Sequence, residues 1–199
     1  NDSLKTKKAR RERMHVGHWG ADLDFYDRIM READDERHHG FISTGRERRD
    51  MKTLVAAFNQ TDAPLDIYLN KSNCGIDYEK MFGEMTVNNN VKVHFMSGYQ
   101  QANLSRTVYN SACVVICCLE TKYTVGLTTV VEALALGLPT ICSRNPQIPV
   151  DFDKEGCGIS VEYYDTATSR SIPKRLPRWA ERHVDLPKRS STTGVAPVK

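Results

Sequence analysis

The sequence predicts an α/β fold, a parallel β-sheet with helices on both faces. Three observations predict it. From Gly40 to about Val161, short apolar runs alternate with segments of helical period. One run, CVVICCL over 113–119, is apolar throughout, as a strand covered on both faces must be. The intervening segments run to about a dozen residues, long enough for the helical crossovers that parallel strands require.

Taken in order, GFIST (40–44) reads as a strand and DMKTLVAAFNQ (50–60) as a helix, with Asp50 placed to cap it. PLDIYLN (64–70) is a strand, DYEKMFGEM (77–85) a helix, VKVHFM (91–96) a strand and ANLSRTVYNSA (102–112) a helix. After the central strand comes VGLTTVVEALALGLPTI (125–141). In it Leu127, Val130, Val131, Leu134 and Leu138 form the stripe expected to face the core, and Thr128 and Glu132 lie on the face pointing away. PTICS (139–143) and GISVEY (158–163) supply the last strands. Together these elements predict a Rossmann-like layer over residues 40–165. Residues 1–39 read as a linker entering it, with a basic start and HVGHWGADLDFYD as the way in. Residues 166–199 read as a basic tail with one short helix, LPRWAERHV (176–184), and an end, SSTTGVAPVK, that is expected to be disordered.

Composition narrows the function classes. The 199 residues are 40% apolar, enough for one core, and SACVVICCL (111–119) falls far short of a membrane span. The first residues are too charged for a secretory signal. Six cysteines stand at 74, 113, 117, 118, 142 and 157, none in the paired spacing of a metal site, and read as reduced, buried thiols of a cytoplasmic protein. The net charge of +3 divides unevenly: +4 over 1–13, −7 over 14–165 and +6 over 166–199. Basic ends of this kind are commonly solvated tails; the alternative is contact with an anionic membrane surface. Nucleic acid is not expected as a partner, because the tail offers only Trp179 as an aromatic among its cations.

The chemistry concentrates around the central strand, since ligands of open parallel sheets collect at the carboxyl ends of such strands. Gly126 lets the chain turn into the following helix, whose first amides lack partners and form an anion site. Glu132, one turn beyond Thr128, is placed to accept hydrogen bonds from the hydroxyls of a ribose attached to a phosphate bound there. The bland reading is that it only complements the helix dipole. STGRERRDMKTL (43–54) sets Arg46, Arg48, Arg49 and Lys52 around a helix start, where cations oppose the dipole and a bound diphosphate would relieve the conflict; Arg48 is expected to face solvent. The turn Ser97-Gly98-Tyr99 could read and stack on a base, or be a plain loop.

ISTGRERRDMKTLVAAF, NNNVKVHFMSGY, the strand before Leu119, and GLTTVVEALALGLPTI followed by EGCGISV resemble, in order and spacing, the carboxyl-terminal domain of family-four (group 1) glycosyltransferases of the GT-B fold. The resemblance covers about residues 18–165. It implies that the chain binds a nucleotide-diphosphate sugar, a UDP- or GDP-sugar, as substrate, with no further cofactor and no metal. Arg46, Arg49 and Lys52, with the amides around Gly126, Leu127 and Thr128, would hold the diphosphate; Glu132 the ribose; Ser97, Gly98 and Tyr99 the base; Thr124 and Val125 the donor sugar.

Two departures accompany the resemblance. Many members carry a second glutamate eight residues before the first, and threonine stands here at 124. The amino-terminal domain that carries the acceptor site and the catalytic base is absent from this sequence. No catalytic residue is therefore assigned, and the chain reads as a donor-binding half, inactive alone, whose partner would be that acceptor domain. The competing readings are half of a nucleotide-sugar epimerase, which would need extra acid and histidine residues near the donor, and a non-catalytic nucleotide- or partner-binding module. Peripheral attachment to the inner face of a membrane is compatible with the first reading, because many members act on lipid-linked acceptors.

Overall fold

The computed structural model describes residues 20–33, 40–73, 75–98 and 101–166. Tyr99, Cys74, the helix expected over 176–184 and most of both basic ends lie outside the described residues. In chain order the elements are α1 (Leu23–Glu32), β1 (Phe41–Thr44), α2 (Met51–Phe58), β2 (Leu65–Leu69), β3 (Ser72–Asn73), β4 (Ile76–Asp77), α3 (Tyr78–Gly83), β5 (Val91–Phe95), α4 (Gln101–Tyr109), β6 (Cys113–Ile116), α5 (Leu127–Ala135), β7 (Thr140–Ser143), α6 (Phe152–Glu155) and β8 (Gly158–Val161). Six strands form one sheet in the order β5-β2-β1-β6-β7-β8, and every pairing in it is parallel. This is the Rossmann-like α/β layer that the alternation predicts. β3 and β4 form a separate antiparallel hairpin.

Two apolar clusters cover the two faces. One joins Met51, Leu54, Val55 and Phe58 of α2 and Tyr78 of α3 to Leu65, Ile67 and Val115 of the sheet. The other joins Tyr26 and Ile29 of α1, Val108 of α4, and Val130 and Ala133 of α5 to Ile42, Val114 and Ile116. The central strands β1 and β6 are buried at every position; β6 is accordingly apolar throughout, while β1 buries Ser43 and Thr44 beside Phe41 and Ile42. Four helices begin on an aspartate, Asp22, Asp50, Asp77 or Asp151, whose carboxylate accepts the amide three residues on.

The buried arc of α5 differs from the predicted stripe. Its buried residues are Thr129, Val130, Glu132 and Ala133. Leu134 is exposed, and Leu127 and Val131 are half-buried. Glu132 therefore turns inward, toward α4, and only Thr128 of the predicted polar pair is exposed. The reason is that α5 rests on the sheet and on α1 and α4 together, and its two buried polar residues each have a partner there, Arg49 for Thr129 and Ser105 for Glu132. Satisfied polar groups can occupy a core face that an apolar count would give to leucine.

Candidate functional site

The strand order reverses between β1 and β6, and it is beyond the carboxyl ends of the strands at such a point that open parallel sheets bind ligands. The segments leaving these two strands are tied to each other. The Asp50 amide donates to the Cys117 carbonyl at 3.0 Å, and the Leu119 amide to the Arg48 carbonyl at 2.8 Å. This cross-connection requires Arg48 to adopt a φ of 51°, and its side chain is exposed.

The tie carries Arg49 into the interior, where the residue is only 4% exposed. Its Nε donates to the Thr44 carbonyl at 3.0 Å, Nη1 to the Glu47 carbonyl at 3.1 Å and to Cys118 Sγ at 3.2 Å, and Nη2 to Thr129 Oγ1 at 3.1 Å. A guanidinium has five N–H groups, so one on Nη2 remains beyond these four. Among the described residues no carboxylate lies within ion-pair distance of it. Gly45 makes room for this packing: a Cβ there would collide with the guanidinium.

Against Arg49 stands the first turn of α5. Its cap is Gly126, with φ 88°, and no side chain closes the helix as the aspartates close four others. A Cβ on Gly126 would sit 3.7 Å from Arg49 Nη1 and 2.8 Å from Ile116 Cγ2, so only glycine lets the turn approach β6 this closely. The amides of Leu127, Thr128 and Thr129 have no intrahelical acceptors, and the buried cation beside them adds to the positive end of the helix. The Arg49 guanidinium and the first turn of α5 thus place positive charge side by side at the ends of β1 and β6, with the Asp50 and Glu47 carboxylates near enough to act on the Cys118 thiol between them.

The sulfur chemistry around it is inert. Burial pushes the Cys117 thiol up to about 12. Burial likewise raises Cys118, partly offset by Arg49. The five described cysteines are free.

Glu132 lies further down α5, 5% exposed, and Ser105 Oγ of α4 donates to its Oε1 at 2.6 Å. Burial raises its carboxyl above the ordinary range, and the Ser105 hydrogen bond acts in the opposite direction. At the ends of β1, β2 and β5, an open cleft of about 520 Å³ is lined by Arg46, Lys71, Phe95, Ser97 and Gly98 among others. Lys71 is ion-paired with Glu79.

The structure therefore brings Arg49, Gly126 and Thr129 together, and separately gathers Arg46, Ser97 and Gly98 on one cleft. Leu127 is half-buried and Thr128 exposed at the α5 start. Lys52 is exposed on α2. Thr124 is exposed, with Oγ1 donating to the Gln147 carbonyl, while Val125 is buried in the core beneath. Sequence reasoning had no ground to place Thr129 and Cys118 against Arg49, or Ser105 against Glu132. The only sequence signal for Ser105 was a small hydroxyl inside a helical segment.

No family model matches this sequence, and no curated protein matches it. Solved structures do. WaaG, a glycosyltransferase involved in lipopolysaccharide biosynthesis, superposes with a TM-score of 0.54 at 15% identity, over 81% of this chain and 45% of its own. An α,α-trehalose-phosphate synthase (UDP-forming) from Burkholderia vietnamiensis gives 0.50 at 13% identity, over 81% of this chain and 44% of its own. A Listeria monocytogenes protein provisionally named UDP-N-acetylglucosamine 2-epimerase gives 0.50 at 10%, over 79% and 44%. The chain spans a little under half the length of each. What they share is the fold, the Rossmann-like layer of GT-B glycosyltransferases and their architectural relatives. Among the described residues no helix is long and apolar enough to cross a membrane.

Proposed function

We propose that this chain is the donor-binding half of a glycosyltransferase and binds a nucleotide-diphosphate sugar beyond the carboxyl ends of β1 and β6. One observation carries the reading: a buried guanidinium with no carboxylate in ion-pair distance among the described residues stands against an α5 start that no described side chain caps. Burying a cation is costly, and one held among the described residues by neutral acceptors, beside the first amides of a helix, suits an anionic ligand that completes the set. The diphosphate takes the α5 amides and the remaining N–H of Arg49, with Arg46 and Lys52 at its outer side. Glu132 takes the ribose, the Ser97–Gly98 turn the base, and the 124–125 segment the sugar. When the sugar departs, negative charge grows on the diphosphate, and Arg49 with the helix end stabilises it without reorganisation. An acceptor domain outside these residues completes the enzyme. Sharing the fold with an epimerase as well as with glycosyltransferases leaves the assignment to the site.

Arg49→Ala tests it. Losing a charged hydrogen bond to phosphate costs about 1.5–3 kcal/mol, so affinity for the nucleoside diphosphate falls roughly 10- to 150-fold. Affinity for the nucleoside stays within about twofold. Equal losses for both, measured by calorimetry on variants with unchanged circular dichroism, would contradict a phosphate contact.

A further inference from the structure

Glu47 and Tyr123 meet between the two loops that flank the Arg49 guanidinium. The Tyr123 hydroxyl donates to Glu47 Oε1 at 2.9 Å, although the residues are 76 apart in sequence. Glu47 belongs to the loop after β1, and its main-chain carbonyl accepts Arg49 Nη1. Tyr123 stands in the loop after β6, just before the Gly126 cap of α5. The tyrosine is held independently of the glutamate: its carbonyl accepts Thr121 Oγ1 at 2.7 Å and Nδ2 of the buried Asn145 at 3.1 Å. Both residues nonetheless reach solvent, Glu47 as an exposed residue and Tyr123 with 46% of its surface open. One exposed hydrogen bond adds little to stability, and a carboxylate beside an anion site repels the anion itself. The pair suits instead a group that hangs from the anion.

We propose that Glu47 and Tyr123 recognise the donor sugar: the Glu47 carboxylate accepts hydrogen bonds from sugar hydroxyls, and the Tyr123 hydroxyl orients that carboxylate while its exposed ring offers an apolar face to the sugar. This rests on the nucleotide reading above. The 124–125 segment alone offers a sugar little, because Thr124 Oγ1 donates to the Gln147 carbonyl and Val125 is buried. A carboxylate has about four acceptor sites; the tyrosine takes one, on a side chain open to solvent. Orienting the group beforehand removes side-chain ordering that binding would otherwise demand. Charge adds selectivity. Glu47 is near enough to Arg49 and Cys118 to act on the Cys118 thiol, so it disfavours a bare diphosphate relative to one that carries a neutral, hydroxylated group.

The experiment is calorimetric titration of the 199-residue chain with UDP, UDP-glucose, UDP-N-acetylglucosamine, GDP and GDP-mannose. It compares wild type, Glu47→Gln, Tyr123→Phe and the double variant. The proposal expects Glu47→Gln to move the two kinds of ligand in opposite directions. The bare diphosphate binds roughly 2- to 5-fold tighter, because a like charge is gone, and the sugar nucleotide roughly 3- to 10-fold weaker, because charged hydrogen bonds become neutral ones. Tyr123→Phe weakens the sugar nucleotide roughly 2- to 5-fold, leaves the diphosphate within about twofold, and has no further effect once Glu47→Gln is in place. Changes of the same sign and size for diphosphate and sugar nucleotide, losses that add in the double variant, or sugar nucleotides that respond to neither substitution would overturn it while leaving the nucleotide reading standing. A wild-type chain that binds none of the five ligands overturns both.

Discussion

Replacing Gly126 by alanine tests the close approach on which the candidate site is built. The backbone there has φ 88° and ψ −5°, and an L-residue in the left-handed region costs roughly 1–2 kcal/mol. The new Cβ would also lie 2.8 Å from Ile116 Cγ2, and Ile116 is fully buried in a central strand with nowhere to retreat. Overpacking of that kind costs about 1–3 kcal/mol, so the two effects together remove roughly 2–5 kcal/mol. For a chain of this size, each kcal/mol lowers the melting midpoint by about 2–4 °C, so Gly126→Ala should melt roughly 4–20 °C early by circular dichroism. Gly156→Ala is the control: it has a φ of 65° but no atom within 4 Å of the added Cβ, so it meets the backbone cost alone. The expected order is wild type, then Gly156→Ala, then Gly126→Ala. If the two alanine variants melt together, α5 does not approach β6 as described, and Arg49 does not stand against its first turn.

Further outcomes concern Glu132. Glu132→Ala should lower nucleoside diphosphate affinity by about 1.5–3 kcal/mol while keeping the circular dichroism of wild type, and unchanged affinity would remove the ribose role. Glu132→Gln probes its burial through the pH dependence of stability. The folded carboxyl is raised above its unfolded value, so the protonated form is favoured in the fold, and ionisation withdraws stability as pH rises past the ordinary glutamate range of about 4.3. Glu132→Gln should therefore melt above wild type near pH 7–8, and the gap should close below about pH 4. A gap that widens toward acid pH would mean the carboxylate is stabilised, not strained, in the fold.

The sheet was legible because its central strand β6 is apolar at every position and its crossovers repeat the helical period. Elements too short to carry a period were not. The hairpin of β3 and β4 has two residues in each strand, and α6 is a single turn begun by Asp151. α1 was read as part of an entering segment because its surroundings are so charged; Tyr26 and Ile29, the two residues it buries, occupy only one narrow side. In the site, the arginine-rich loop and the glycine before α5 could be seen in the sequence. Which arginine turns inward could not, because Arg49 is drawn in by the tie between 48–50 and 117–119, a contact nearly 70 residues apart. The inward turn of Glu132 was hidden for a similar reason: its partner lies on another helix, 27 residues away.

The central claim is that the site beyond the carboxyl ends of β1 and β6 binds a nucleoside diphosphate. It is tested most directly by calorimetric titration of this chain with UDP, GDP and ADP, each against its own nucleoside. The account predicts saturable binding of one diphosphate that is lost with the nucleoside. No saturable binding of any of the three at millimolar concentration would contradict it, and would leave Arg49 a buried cation with a purely internal role.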